Sequence, residues 1–153
     1  MKLLDCTIKT GFITKEMTVK QAFTECVKYN TPGLPYIDEN KKIIGRFSIR
    51  NTFYATSIPA DLIKHAHLLG NDIEHLEIPE QDACEYINKP ANLFLVNQIL
   101  HLHPDSQIVK ALALMEQFDT SYLFVVDDND QYLGVVTHLS ITRLLLENRE
   151  NQQ

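Results

Sequence analysis

Residues 18–51 read TVKQAFTECVKYNTPGLPYIDENKKIIGRFSIRN, and residues 107–140 read QIVKALALMEQFDTSYLFVVDDNDQYLGVVTHLS. The second stretch lies over the first without a gap. Ala22 meets Ala111, Thr31 meets Thr120, Leu34 meets Leu123, Asp38 meets Asp127, Asn40 meets Asn129 and Gly45 meets Gly134. These identities would mean little alone, but the exchanges keep character as well: Val19 with Ile108, Cys26 with Met115, Tyr29 with Phe118, Ser48 with Thr137. The breaks in pattern also fall together, so the chain contains one unit written twice.

Each copy parses into the same elements. Thr18, or Asp105 and Ser106 in the second copy, offers a side-chain oxygen to the orphan amides of a helix start. Val19, Ala22, Phe23, Cys26 and Val27 then recur at helical spacing, mirrored by Ile108, Ala111, Leu112 and Met115. Asn30 and Asp119 stop that helix. LPYID or YLFVVD, a polar turn, and IIGRF or YLGVV predict a hairpin of two largely buried strands. Ser48 or Thr137 opens a last helix, and short segments at 11–14 and 100–103 can supply one further strand. The expected fold is α+β, two β-α-β-β-α repeats.

Between the copies, PADLIKHAHLLG predicts a helix that starts at Pro59, carries Leu62, Ile63, Ala66 and Leu69 on one face and stops at Gly70. IPEQDACEYINKP predicts a second, bounded by Pro79 and Pro90. These helices either pack over the pair and connect its halves, or dock a partner. The expected division is a first repeat over 1–56, a helical linker over 57–96, and a second repeat with a polar tail over 97–153.

Composition narrows the classes of function. A chain of 153 residues, 44% hydrophobic, can bury a core without staples. Its net charge of −6 has no basic stripe, which argues against nucleic acid and anionic membrane as partners. No apolar run is long enough for a membrane span, and Asp5 and Lys9 break the first residues too early for a secretory signal, so the expected location is the cytoplasm. Cys6, Cys26 and Cys84 are odd in number and widely spaced, as expected of reduced thiols.

With its Pro-hydrophobic-hydrophobic-Asp strand at 35–38 and a Gly-x-x-Ser/Thr step into the last helix of each copy, the repeat resembles a tandem pair of cystathionine-beta-synthase (CBS) domains, a Bateman module. The resemblance covers residues from about 10 to 56 and 97 to 147. It implies two repeats packed about a pseudo-two-fold axis with their sheets in contact, and two chains paired as a homodimer through the helices. It also implies a regulatory role, with AMP, ADP, ATP or S-adenosylmethionine held in clefts between the sheets and a regulated protein partner.

The chemistry of such a junction is simple. A strand that runs into a helix N-terminus presents free amides and partial positive charge to a phosphate, with the Ser48 or Thr137 hydroxyl as an extra donor. Leu34, Pro35 and Leu123 lie on the strands that would offer backbone groups and apolar side chains to an adenine. The resemblance places an Asp three residues after the hydroxyl, to hold the ribose; here Asn51 and Ser140 stand there. Asn51 keeps one acceptor oxygen and Ser140 a single hydroxyl, and losing the charged bond costs roughly ten- to a hundred-fold in affinity. Arg46, Arg50 and His138 are the cations near the two helix starts, and Arg46 is odd because Val135 stands in the other copy. The cleft beside Ser48, Arg50 and Asn51 is the better expected phosphate site. Equally, Ser-x-x-Asn and Thr-x-x-Ser are helix caps that need no ligand.

Other chemistries find less support. His65 and His67 fall on opposite faces of a helix, and His101 and His103 share a strand face without a completing ligand, so no metal site is expected. No nucleophile elbow, Walker loop or H-E-x-x-H motif occurs, so catalysis is not expected either. The alternative to a nucleotide-binding regulator is a ligand-free interaction or oligomerisation module with vestigial clefts.

Overall fold

The computed structural model describes residues 1–56, 58, 60–68, 70 and 85–151. The first repeat consists of α1 (Val19–Tyr29), β1 (Gly33–Ile37), β2 (Ile43–Ser48) and α2 (Ile49–Thr56). A short helix α3 (Ala60–His65) follows. The second repeat consists of β3 (His101–Leu102), α4 (Ile108–Gln117), β4 (Tyr122–Val126), β5 (Tyr132–Thr137) and α5 (His138–Glu150). The mixed helix-and-strand fold expected from the repeat is the one found.

Local chemistry repeats with the elements. Asn30 and Asp119 both end their helices in the left-handed region, at φ 52° and 49°. In both hairpins the first Asp of the turn accepts amides two and four residues on: Asp38 from Asn40 and Lys42, and Asp127 from Asn129 and Gln131. Thr31 and Thr120 donate to the carbonyls of Gly33 and Tyr122. Helix α1 opens with a capping box of Thr18 and Gln21. Helix α4 departs from expectation: its N-cap is Gln107, which makes no side-chain cap bond. Asp105 is drawn instead to Lys2, whose Nζ lies 2.9 Å from Oδ1.

The two sheets reveal an exchange that the repeat alone does not announce. β1 and β2 pair antiparallel, as do β4 and β5. Ile13 adds a parallel bridge to the first sheet at Tyr36, matching β3 beside β4 in the second. On the opposite edges the partners cross over. Ile8 bridges Val135 of the second sheet, and Val96 bridges Arg46 of the first. The short 3-10 helices that lead into these bridges cross as well. Leu3–Cys6 packs with Leu102, Ile108, Val136 and Ile141 of the second repeat, whereas Ala91–Phe94 packs with Val19, Ala22 and Phe47 of the first. Each half therefore carries the leader of the other, as a pseudo-two-fold requires.

Side chains alternate along each strand between two layers. Leu34, Phe47, Leu123, Val125 and Val136 face the helices. Tyr122, Phe124 and Val135 face the other sheet, where Ile8, Ile43, Ile99 and Tyr132 join them. Between the repeats, α3 is helical as expected, but Ile63, Lys64 and His65 are exposed. Pro59, Leu69 and residues 71–84 lie outside the described residues, and with them Pro79 and most of the second predicted helix; Tyr86 and Ile87 beyond them pack on the first repeat. Among the described residues, no helix is long and apolar enough to cross a membrane.

Burial sets a pH dependence. It pushes the Cys26 thiol from 9.0 up to about 12, with the nearby Glu25 carboxylate adding to the rise. The Tyr132 phenol also moves from 10.0 to about 12, chiefly through burial. A raised folded pKa means full stability below the unfolded value and loss as pH climbs toward the folded one, because only the unfolded chain then sheds its proton. Between pH 9 and 10 the Cys26 contribution alone costs about 1 kcal/mol, and Tyr132 steepens the fall above pH 10. Urea unfolding at pH 8, 9 and 10 should show the decline, and Cys26→Ala should flatten its first step; a wild-type midpoint constant across that range contradicts this.

Candidate functional site

Both strand-to-helix junctions adopt the geometry expected of them. Thr137 caps α5 through a reciprocal box: its Oγ1 accepts the Ser140 amide at 3.0 Å, and the Ser140 Oγ accepts the Thr137 amide at 3.0 Å. The Ser140 hydroxyl also donates to the Thr137 carbonyl, so it is fully engaged within the turn. Ser48 accepts the Asn51 amide at 3.4 Å, a looser cap. Ser48, Thr137 and Ser140 are buried, Asn51 is half-buried, and Arg50 and His138 are exposed.

Alternation along the strands decides which neighbours can line a cleft. Pro35 pairs with Arg46 and Gly33 with Ser48, and these face the opposite sheet. The side chains of Leu34 and Leu123 instead lie in the helix-side cores, 0% and 1% exposed, so these residues offer the cleft only backbone. Arg50 does not reach Ser48. It crosses to Asp119 of the other repeat at 3.5 Å, an ion pair so exposed that it adds little to stability.

Arg46 is the unusual member. Its Nε donates to the Gln98 carbonyl at 2.7 Å, and its Nη1 donates to the Tyr122 hydroxyl at 2.6 Å. The guanidinium also stands 5.5 Å from the Tyr122 ring centre. Tyr122 is 4% exposed; burial raises its phenol above the ordinary value, while the Arg46 charge and hydrogen bonds from Arg46 and Ser48 hold it back. The cavity left among Arg46, Gln98, Thr120, Tyr122 and Phe124 is about 10 Å³, at the threshold for one water. Beside Ser140, a cavity of about 130 Å³ remains, lined by Thr7, Ile8, Ser140, Arg143 and Glu147 among others.

Of the two junction glycines, Gly134 is the one that a neighbouring backbone approaches closely. A Cβ on Gly134 would stand 2.4 Å from the Ile8 carbonyl oxygen and 2.6 Å from Thr7 Cγ2. Gly134 is thus the place where the crossed leader runs against the second sheet.

Known proteins fit this geometry. Residues 94–147 match the family profile of the CBS domain. A CBS domain-containing protein of unknown function from Bacillus anthracis superposes with a TM-score of 0.64 at 17% identity, over 96% of this chain and 94% of its own. This is the fold of a CBS domain pair. The CBS pair of protein MJ0100, crystallised with 5-methylthioadenosine and S-adenosyl-L-methionine, superposes with a TM-score of 0.62 at 20% identity, over 97% of this chain and 98% of its own. CBSX2, crystallised with AMP, gives 0.65 at 16% identity, over 95% and 97%. No curated relative matches the chain.

In this fold the chain has two pseudo-symmetric junctions. One is filled by an aromatic side chain and the other keeps a small cavity. His103, one of the sequence's metal candidates, is engaged elsewhere: its Nε2 lies 2.8 Å from Asp128 Oδ1. Among the described residues no group of three or more His, Cys, Asp or Glu side chains comes together as a metal cage.

Proposed function

We propose that the chain is a regulatory CBS pair that binds an adenosine-containing ligand, such as AMP, ADP, ATP or S-adenosylmethionine, at a strand-to-helix junction between its sheets. The observation that carries this is the Thr137–Ser140 junction: a helix of 13 residues begins there on a capped turn, a cavity of about 130 Å³ adjoins it, and Arg143 lines that cavity. Free helix amides and a cation suit a phosphate or carboxylate. The two neighbours with bound adenosine compounds support the reading. A cavity of 130 Å³ is below the roughly 300–1,000 Å³ of small-molecule pockets, so binding must draw the Leu3–Ile8 leader and α5 apart. That differential is what a regulator needs, since a ligand shifts only states that it binds unequally.

A second reading is favoured by a specific observation, the completeness with which Tyr122 fills the Ser48 side: the module binds no ligand and works as an interaction surface. In either reading the partner is a second copy of the chain or a regulated protein, met through exposed apolar side chains of α5 such as Leu139, Leu145 and Leu146. Thermal unfolding with millimolar AMP, ADP, ATP or S-adenosylmethionine, with and without Mg²⁺, separates the two. The first reading predicts a rise in melting temperature with at least one of them, because ligand bound only to the native state stabilises it. No rise with any of them leaves the second.

A further inference from the structure

The layer between the sheets is not symmetric, and its two breaks of symmetry sit together. Tyr122 occupies the position that Gly33 holds in the first repeat, and Arg46 the position that Val135 holds in the second. Tyr122 spans the layer: a Cβ on Gly33 would stand 2.3 Å from Tyr122 Cζ and 2.4 Å from its hydroxyl. The phenol therefore rests on the backbone of Gly33, whose register partner on β2 is Ser48. Arg46, two residues before Ser48 on the same face, holds the hydroxyl at 2.6 Å and is itself anchored on the Gln98 carbonyl of the crossed leader. The pseudo-symmetric counterpart would set Gly33 against Thr137, and glycine brings no side chain to fill that place.

We propose that Tyr122, latched by Arg46, is an internal occupant of the Ser48 cleft, so that the two junctions of the pair are unequal: ligand enters beside Ser140 by parting the leader from α5, and enters beside Ser48 only when Tyr122 swings out. The part that concerns ligand rests on the nucleotide-binding reading; the latch itself does not. It makes Tyr122 and Arg46 the residues that set how many ligands one chain takes.

The test reads access to Ser48 directly. In a Ser48→Cys variant, alkylation at that position by iodoacetamide, followed by mass spectrometry of the peptide, should be slow. Adding Tyr122→Ala should speed it, and adding Arg46→Met, which leaves the ring in place and removes the guanidinium that joins it to Gln98, should speed it by roughly ten- to a hundred-fold. Phe124→Leu, which trims the ring packed on Tyr122 but leaves the Arg46 bond to its hydroxyl, should speed it far less. Fast alkylation with the latch intact, unchanged rates in Arg46→Met, or equal acceleration by Phe124→Leu would each overturn the proposal, and none of these needs Tyr122→Ala to fold. Calorimetric titration with AMP separates this inference from the one beneath it. Acceleration with no AMP bound by any variant upholds the latch and counts against the nucleotide reading, whereas AMP bound once per wild-type chain and twice per Tyr122→Ala chain upholds both.

Discussion

Leu3→Ala should cost about 2–5 kcal/mol of stability, and Leu4→Ala, one residue along, less than about 0.5 kcal/mol. Leu3 is 0% exposed and Leu4 is 59% exposed, although both belong to the same short 3-10 turn near the chain's first residue. The turn is fixed to the far half of the molecule, with the Leu3 amide donating to the Ser106 carbonyl and the Leu4 amide to the Pro104 carbonyl, each at 3.1 Å. Leu3 is packed in the cluster that includes Leu102, Ile108, Val136 and Ile141. Truncating it leaves a cavity that the rigid core of the second repeat can collapse only partly, which is why the cost exceeds the transfer term. Urea denaturation of both variants checks this. Equal and small effects would mean that the leader is a loosely attached tail and that the exchange of leaders does not hold the halves together.

Gly134→Ala should destabilise by about 1–3 kcal/mol, while its pseudo-symmetric mate Gly45→Ala should be close to neutral. A new methyl at 134 meets backbone, the Ile8 carbonyl oxygen at 2.4 Å and its carbon at 3.0 Å, which cannot rotate away. To accept it, the leader must retreat from β5 and give up the paired bonds between Ile8 and Val135, at 2.8 and 2.9 Å. At 45 the nearest atom is the Val96 carbonyl oxygen at 3.5 Å, an ordinary contact, and a strand gains from the smaller entropy loss of alanine. Thermal melts of the two variants give the comparison. A neutral Gly134→Ala would mean that the leader sits farther from β5 than 2.4 Å allows.

These two pairs also mark where the sequence stops being legible. The core of each repeat could be read in advance because its signals are local: Asn30 and Asp119, the Asp38 and Asp127 turns, and the alternation around Phe47 and Val136 all depend on residues within one hairpin or one helix turn. The leaders could not be read. Their contacts are single bridges to the opposite half, and their spacing shifts by one residue between Ile8 and Val96 on one side and Ile13 and Leu102 on the other, so a gap-free alignment slides past them. LLDC and ANLF share no identity to restore the match.

The site divides in the same way. The caps at Ser48 and Thr137 follow from residue type and spacing. What fills the space over them is a non-local matter, decided by a tyrosine 74 positions from Ser48. A signal for it did exist. Among strand positions that face the other sheet, glycine against Tyr122 and Arg46 against Val135 are large exchanges in an alignment that otherwise keeps character, and they fall where symmetry would leave a void. Arg46 read alone permits either an outward or a cleft-facing side chain; only Tyr122 and Gln98 decide the second. The helix-side placement of Leu34 and Leu123 was open to strand alternation too, since Ser48 and Thr137 fix which face is which.

The central claim is that a ligand meets this chain at a capped strand-to-helix junction between the sheets. Amide NMR spectra of the wild-type protein titrated with AMP, and separately with S-adenosylmethionine, test it most directly. The account predicts saturable shifts that cluster at residues 134–141 and at Thr7 and Ile8, with residues 45–51 moving less while Tyr122 stays latched. Shifts confined to the exposed face of α5, or saturable binding that leaves both junctions unmoved, would contradict it.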